Sequence, residues 1–226
     1  MTHPAFRVHA VPLIAAFLAA LSVWVFLEIA DEVFEGETRR FDESVLLAFR
    51  SDLDRNDPVG KAWVEELARD VTGMGGAAVL AFLTAAAAGF LLLRRKSHRA
   101  LYLVAAVVTG ILLSSLLKWG FDRPRPDLVA HGQLIYTKSF PSGHSMMSAL
   151  TFLTLGALLA ATLETHAMRA YIMVLAILVT LAVGISRVYL GVHWPTDVMA
   201  GWAAGTAWAL MCWSCAEYLG RKGRLE

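Results

Sequence analysis

The stretch from Ser186 to Asp197 holds the residues of this chain that are best suited to chemistry. It reads Ser-Arg-Val-Tyr-Leu-Gly-Val-His-Trp-Pro-Thr-Asp. The carboxylate of Asp197 can hold the imidazole of His193 in one tautomer and make it a better nucleophile or base. The guanidinium of Arg187 is planar and offers paired donors that suit the oxygens of a phosphate. The pattern therefore indicates a reactive imidazole beside an anion-binding group.

A second cluster, Pro141 to His144, comes immediately before an apolar run. Ser142 can cap a helix that begins here, and Gly143 lets a ligand come close to the backbone. The first N–H groups of such a helix have no partner within it and favour a bound anion. His144 beside them can donate a proton. Taken alone, an ordinary capped helix with an incidental histidine explains this cluster equally well.

A third cluster, Lys118 to Pro126, reads Lys-Trp-Gly-Phe-Asp-Arg-Pro-Arg-Pro at the end of an apolar stretch. Alone, it is typical of cations that reach from a helix end to a membrane surface, followed by a proline-rich stop. It contains two Arg-Pro pairs. For Arg123 an interfacial position is favoured over an extra contact to phosphate or a lipid headgroup.

The composition indicates that these clusters lie in a membrane protein. The chain has 226 residues, of which 57% are hydrophobic and 17% charged, and its mean hydropathy is +0.56. One water-soluble core of this size cannot bury so much apolar surface. The net charge of +1 and the scatter of basic residues argue against nucleic-acid binding. Cys212 and Cys215 lie in an apolar stretch and are interpreted as ordinary buried thiols.

Six apolar stretches are long enough, or nearly so, to cross a hydrocarbon core about 30 Å thick. They are 11–30, 76–93, 101–117, 145–163, 169–185 and 198–219. The predicted fold class is therefore all-α: a polytopic membrane protein with six transmembrane helices in a single domain, 1–226. The first stretch exceeds the apolar region of a signal peptide and is expected to be a retained helix.

Lysine and arginine in the short loops predict the orientation of these helices. Cations without acids fill the loop 94–99, and Arg169 and the C-terminal tail add more. These segments and both termini are expected on the cytoplasmic side. The loops 118–144 and 186–197 then lie outside. Four cations in 118–144 are an exception to the charge rule, and anion binding would explain them.

The first loop, 31–75, is richer in acids than in cations and is expected outside as well. Two helical patterns in it are amphipathic, one through Trp63, Leu67 and Val71 and the other through Phe41, Val45 and Phe49. Both are predicted to be short interfacial helices over the outer end of the bundle. A lid or lipid-guiding surface and plain packing are equal alternatives for their role.

Taken together, the three clusters resemble the signature of the type 2 phosphatidic acid phosphatase family. That signature is Lys-x6-Arg-Pro, then Pro-Ser-Gly-His, then Ser-Arg-x5-His-x3-Asp. The chain matches it with Lys118 and Arg125-Pro126, with Pro141 to His144, and with Ser186-Arg187, His193 and Asp197. All spacings are kept.

The resemblance implies an integral membrane lipid phosphatase that needs no metal or other cofactor and works through a phosphohistidine. By the family's pattern, His193 attacks phosphorus, Asp197 orients its ring, and His144 protonates the departing oxygen and then activates water. The groups that hold the phosphate would be Lys118, Arg125, Ser142, Gly143 and Arg187. The motif-bearing core would be about 100–219, with 31–75 as its extracytoplasmic cover.

The expected partners are the bilayer and a phosphorylated lipid. Phosphatidate, phosphatidylglycerophosphate and undecaprenyl diphosphate are candidates, and the expected location is a bacterial inner membrane with the active site on its extracytoplasmic face. His131, Lys138 and Tyr189 are candidates for substrate contact. The sequence leaves the oligomeric state open.

Three alternatives from other classes remain at this point. A lipid-to-lipid phosphotransferase would use the same motifs, and a vanadium haloperoxidase-like enzyme would hold vanadate in the same pocket. A non-enzymatic lipid transporter would need charges along a translocation path, for which Glu28 is the main acidic candidate within a span.

Overall fold

The computed structural model describes residues 4–129 and 137–221, and within these ranges the chain is all-α. Its helices are α1 (Pro4–Glu35), α2 (Arg39–Ala48), α3 (Ala62–Met74), α4 (Ala77–Leu93), α5 (Ser97–Gly120), α6 (Gly143–Ala160), α7 (His166–Tyr189) and α8 (Pro195–Arg221). The all-α prediction is confirmed over the described ranges, and each of the six apolar stretches coincides with a helix.

Local sequence explains where the helices that carry the motifs begin. Ser142 precedes α6, and its hydroxyl accepts a hydrogen bond from the N–H of Ser145 at 3.4 Å. This is the cap that the sequence predicts. Pro195 is the first residue of α8, where its missing N–H costs little. At Gly75 and Gly76 the chain bends by 48° between α3 and α4.

The helices α6 and α8 form the centre of the bundle. α8 packs against α1, α5, α6 and α7, while α6 also contacts α4, α5 and α7. Small residues allow α6 and α8 to cross closely: a Cβ at Gly201 would lie 2.7 Å from the carbonyl oxygen of Ser142, and one at Gly205 would overlap that of Met146. Close crossing over small residues is typical of helices in membranes.

Within residues 4–129 and 137–221, four helices are long and apolar enough to cross a membrane: Pro12–Glu35 within α1, α5, α6 and α7. The bent pair of α3 and α4 makes a fifth if it is counted as one span. Large apolar side chains on these helices face away from the bundle, among them Phe17, Trp24, Leu112, Leu116 and Leu178. Such a surface suits contact with lipid.

The helices α2 and α3 occupy the two amphipathic segments that the sequence predicts in the first loop. α2 contacts α8, and α3 contacts α7. Leu46 of α2 is fully buried against Trp194 and Val198 near the start of α8. On α3, in contrast, Trp63 and Leu67 are 60% and 50% exposed. One apolar face is therefore packed into the bundle, while much of the other stays open.

Candidate active site

The three clusters meet at one end of the bundle. The C-terminal ends of α5 and α7 carry Lys118 and Arg187, and the N-terminal ends of α6 and α8 carry His144 and Asp197. A short turn between α7 and α8 carries His193. A hydrogen bond of 2.9 Å from the N–H of Ser142 to the carbonyl oxygen of Asp197 joins the second motif to the third. The structure thus brings all of the predicted site residues to one region.

His193 and Asp197 form a buried pair. Nδ1 of the imidazole lies 3.3 Å from Oδ2 of Asp197, and neither side chain is more than 2% exposed. On the other side of the ring, Nε2 lies 3.1 Å from Nη1 of Arg125. A guanidinium can only donate, so Nε2 accepts and the proton sits on Nδ1. The lone pair of Nε2 therefore points towards the cations of the site.

The imidazole of His193 is held in its neutral form. Burial lowers its pKa to about 3; Asp197 opposes this shift, and Arg125 and Arg187 reinforce it. At neutral pH the ring therefore keeps the lone pair that a nucleophile needs.

The turn that carries His193 depends on Gly191. Its φ of +73° lies in the left-handed region that favours glycine. A Cβ at this position would also lie 2.7 Å from Nη2 of Arg50. That nitrogen donates to the carbonyl oxygen of Tyr189 at 2.9 Å, which fixes the end of α7 just before the turn.

Lys118 and Arg125 converge on the short segment 137–138. Nζ of Lys118 donates to the carbonyl oxygen of Lys138 at 3.0 Å, and Nε of Arg125 donates to that of Thr137 at 2.9 Å. A Cβ at Gly143 would lie 3.4 Å from Cε of Lys118, so this cation reaches the first turn of α6. Burial lowers the pKa of Arg125, and the nearby carboxylate of Asp197 opposes the shift.

Arg187 has a donor that the described part of the chain does not use. The residue is 3% exposed, and its Nη1 donates to the hydroxyl of Thr72 at 3.1 Å. Its buried Nε has no hydrogen-bond partner among the described residues. An unpaired buried donor is costly, so this position is suited to an anion.

Ser142 and His144 lie at the start of α6. The hydroxyl oxygen of Ser142 accepts hydrogen bonds from both the N–H and the hydroxyl of Ser145. Its own proton is therefore available to another acceptor. His144 is partly buried beneath the junction of α3 and α4, where a Cβ at Gly75 would lie 3.5 Å from its ring.

Arg123 turns into the bundle, so the expectation of a merely interfacial cation was wrong. Its side chain is 14% exposed and forms ion pairs with Asp42 and Asp197. Asp42 is 81 residues away in sequence, which is why the motif alone could not reveal the contact. In the sequence, the repeated Arg-Pro pair was the only sign that Arg123 has a special role, and it did not indicate where the side chain points.

The first loop contributes more to this region than its sequence indicates. Polar side chains of this loop bond to motif segments: Thr38 and Asp42 to Arg123, Arg50 to the backbone of Tyr189, and Thr72 to Arg187. These contacts, together with buried Leu46, support plain packing over a free lid as the role of α2.

The side chains of Tyr189 and Lys138, two further candidates for substrate contact, are bonded to other parts of the chain. Tyr189 donates through its hydroxyl to the carbonyl oxygen of Val59 at 2.9 Å, and Lys138 pairs with Asp122. His131 lies outside the described residues. Glu28, the acid expected to matter in a transporter, is exposed near the end of α1.

Comparison with known proteins agrees with this geometry. Residues 99–221 match the family model of the PAP2 superfamily. The chain is 33% identical to phosphatidylglycerophosphatase B of Bacillus subtilis strain 168 over 152 residues. The aligned region covers 65% of this chain and 72% of that protein. It is 33% identical over 121 residues to the undecaprenyl-diphosphatase of Sulfolobus acidocaldarius, over 51% of this chain and 54% of that protein.

A solved structure extends the likeness to nearly the whole fold. The crystal structure of a transmembrane PAP2 type phosphatidylglycerolphosphate phosphatase from Bacillus subtilis superposes with a TM-score of 0.81 at 27% identity. The match covers 90% of this chain and 98% of that one. With its three motifs assembled at one end of a multi-pass helical bundle, the chain belongs to the PAP2 superfamily.

Proposed function

We propose that this chain, a membrane lipid phosphatase, acts through a phosphohistidine formed on His193. The observation that carries the proposal is the setting of the imidazole, with Nδ1 towards Asp197 and Nε2 towards Arg125. A neutral ring with one nitrogen committed to a carboxylate offers the lone pair of the other nitrogen to phosphorus.

The reaction proceeds in two steps. In the first, Nε2 of His193 bonds to phosphorus, the bond from phosphorus to the lipid oxygen breaks, and His144 gives that oxygen a proton. In the second, His144 takes a proton from water, the water oxygen bonds to phosphorus, and phosphate leaves the imidazole. Asp197 stabilises the positive charge that the ring carries in between.

The phosphate oxygens are held by three cations and two groups at the start of α6. These are the side chains of Lys118, Arg125 and Arg187, the hydroxyl of Ser142 and the N–H of Gly143. Phosphoryl transfer depends mainly on positioning and on stabilising spread negative charge, which fixed donors supply without a metal. The buried Nε of Arg187, which has no partner among the residues that the structure describes, supports this assignment, because a phosphate oxygen would complete its hydrogen bonding.

The proposed topology is a single domain with six spans and both termini in the cytoplasm of a bacterium. α4 has 17 residues and α8 has 27, which is long enough for the two remaining spans. The cation-rich segment 94–99 runs from the end of α4 into the first turn of α5, at the ends of both helices away from Lys118. The site then opens on the extracytoplasmic face of the inner membrane, with α2 and α3 at the interface.

The proposed substrate is a lipid that ends in a phosphate or diphosphate. The two named relatives act, by their names, on phosphatidylglycerophosphate and undecaprenyl diphosphate. In both substrates the group to be removed is a terminal phosphate at the membrane surface, where a site at the end of a helical bundle can reach it.

The central test is substitution of the nucleophile. Purified His193→Ala in mixed micelles with a chelator should lose phosphate release by at least about 1,000-fold on all lipid phosphates. His166→Ala is the matched control, because His166 is exposed at the start of α7, away from the site. Wild-type turnover in His193→Ala would refute the assignment of the nucleophile.

A substrate panel completes the test. Phosphatidate, phosphatidylglycerophosphate and undecaprenyl diphosphate are compared at equal surface concentration, with glycerol added to detect phosphoryl transfer to an alcohol. Peroxide and halide with vanadate test for haloperoxidase activity in the same preparation. Negligible hydrolysis of every lipid by the wild-type protein would contradict the phosphatase proposal.

A further inference from the structure

Arg123 joins two buried carboxylates directly behind the His193–Asp197 pair. Nη1 donates to Oδ1 of Asp197 at 2.6 Å, and Nη2 donates to Oδ2 of Asp42 at 2.5 Å. Neither carboxylate is more than 1% exposed. The ring of Trp194 covers the guanidinium, with its centroid 5.8 Å from Cζ. Charge-assisted hydrogen bonds to carboxylates this deeply buried are strong and demand a fixed geometry.

The contacts of Asp197 are divided between its two oxygens. Oδ1 is bonded to Arg123, while Oδ2 accepts the N–H of Trp194 at 2.9 Å and the hydroxyl of Ser139. Oδ2 is also the oxygen that faces Nδ1 of His193. Because Arg123 holds Oδ1, the carboxylate cannot rotate away from the imidazole.

Asp42 balances the charge of Arg123. Its carboxylate also accepts the N–H of Thr196 at 3.0 Å and the hydroxyl of that residue at 2.8 Å. A guanidinium paired with Asp197 alone would cancel the negative charge that a phosphorylated imidazole needs beside it. With Asp42 sharing the cation, the three ionised groups keep one net negative charge next to His193.

We propose that Arg123 and Asp42 are a positioning pair that fixes the orientation and the charge of Asp197. Helix α2 of the first loop then helps to set the reactivity of the nucleophile, although neither residue touches the reacting phosphorus. This inference rests on the proposed role of His193.

The first test compares Arg123→Ala with Arg39→Ala. Both arginines line one cavity of about 330 Å³, but Arg39 is exposed and pairs with Glu43. For Arg123→Ala we expect kcat to fall about 100-fold while KM changes less than about 3-fold, as for the loss of a group that orients a ligand. Arg39→Ala should retain wild-type kcat.

Chemical rescue separates positioning from general damage. Because the side chain of Arg123 borders this cavity, millimolar guanidinium should enter Arg123→Ala and restore kcat at least about 10-fold, without effect on His193→Ala. Tetramethylammonium, which has no N–H donor, should not. A kcat for Arg123→Ala within about 3-fold of wild type, or no recovery with guanidinium, would overturn the proposal.

Asp42→Asn provides a second variant that keeps the shape of the side chain if Arg123→Ala fails to fold. Its kcat should fall about 10-fold at unchanged KM, because Arg123 then neutralises Asp197. Since Asp42 acts through Arg123, the double variant should be no worse than Arg123→Ala. A wild-type kcat in Asp42→Asn would contradict the proposed pairing of Asp42 with Arg123. So would a double variant whose loss of kcat equals the product of the two single losses.

His193→Ala in the same series distinguishes the two proposals. If His193→Ala stays active, the nucleophile is wrong. If His193→Ala is inactive while Arg123→Ala and Asp42→Asn behave like the wild type, the nucleophile stands and only the positioning pair is wrong.

Discussion

His193, the proposed nucleophile, is buried in its uncharged form. Removal from water lowers the pKa of its imidazole to about 3, from an ordinary value of 6.5. The folded protein therefore keeps this ring neutral over a pH range in which the unfolded chain protonates it. The proposed nucleophile therefore keeps its lone pair at neutral pH, at a cost in stability in acid.

The pH dependence of unfolding should show this cost. Between pH 6.5 and pH 3 the unfolded state binds a proton at His193 that the folded state does not, so stability rises with pH in this window. The contribution is about 1.4 kcal/mol per pH unit. His193→Gln removes it, so the melting temperature of the wild type should fall more steeply below pH 6.5 than that of the variant. If the melting temperatures of the wild type and of His193→Gln fell by the same amount between pH 7 and pH 4.5, the imidazole would not be buried in its neutral form.

Among the elements, the crossing of α6 and α8 determines where the motifs meet. Gly201 faces the carbonyl oxygen of Ser142, and the N–H of Ser142 donates to the backbone of Asp197. The distance between the two helix starts therefore depends on the absence of a side chain at Gly201.

Gly201→Ala should lower both stability and activity. Its Cβ would lie 2.7 Å from the carbonyl oxygen of Ser142 and 2.9 Å from Cβ of Ser145, so the helices must separate. Overpacking of this kind costs about 1–3 kcal/mol. Gly89→Ala in α4 is the control, because a Cβ there has no neighbour within 4 Å among the described residues. The melting temperature and kcat are measured for both variants. If Gly201→Ala matched Gly89→Ala in both quantities, the crossing of α6 and α8 would tolerate a methyl group.

The elements also explain which parts of the site the sequence predicts. The cap at Ser142 and the start of α8 at Pro195 depend only on neighbouring residues, so the local sequence pattern is sufficient to predict them. The contact of Asp42 with Arg123 joins segments 81 residues apart, and no local pattern records it. The amphipathic pattern of α2 predicted a helix but not that an aspartate in its first turn would face the core.

At the scale of the whole molecule, the site and the basic loop 94–99 mark opposite ends of the bundle. Positive loops are retained in the cytoplasm, so the proposed orientation can be tested directly. Ser97 is the first residue of α5, within the basic stretch 94–99, and Leu53 is 98% exposed in the first loop.

Labelling of single cysteines should confirm opposite sides for these two positions. In a Cys212→Ser, Cys215→Ser background, Leu53→Cys should react with an impermeant maleimide in intact cells. Ser97→Cys should react only after the inner membrane is opened. The reverse pattern would place the active site on the cytoplasmic face and redirect the search for its substrate.

The hydrogen bonds from the first loop to the motif segments have a consequence for biosynthesis. Residues 31–75 leave the ribosome long before α7 and α8. Arg50 and Thr72 nevertheless find their partners on α7, and Asp42 finds its second partner, Thr196, only when those last helices arrive. On whichever side of the membrane it lies, the first loop must therefore wait for its partners until the last helix pair is inserted. The active site is the final product of membrane insertion, and a partly synthesised chain does not contain it.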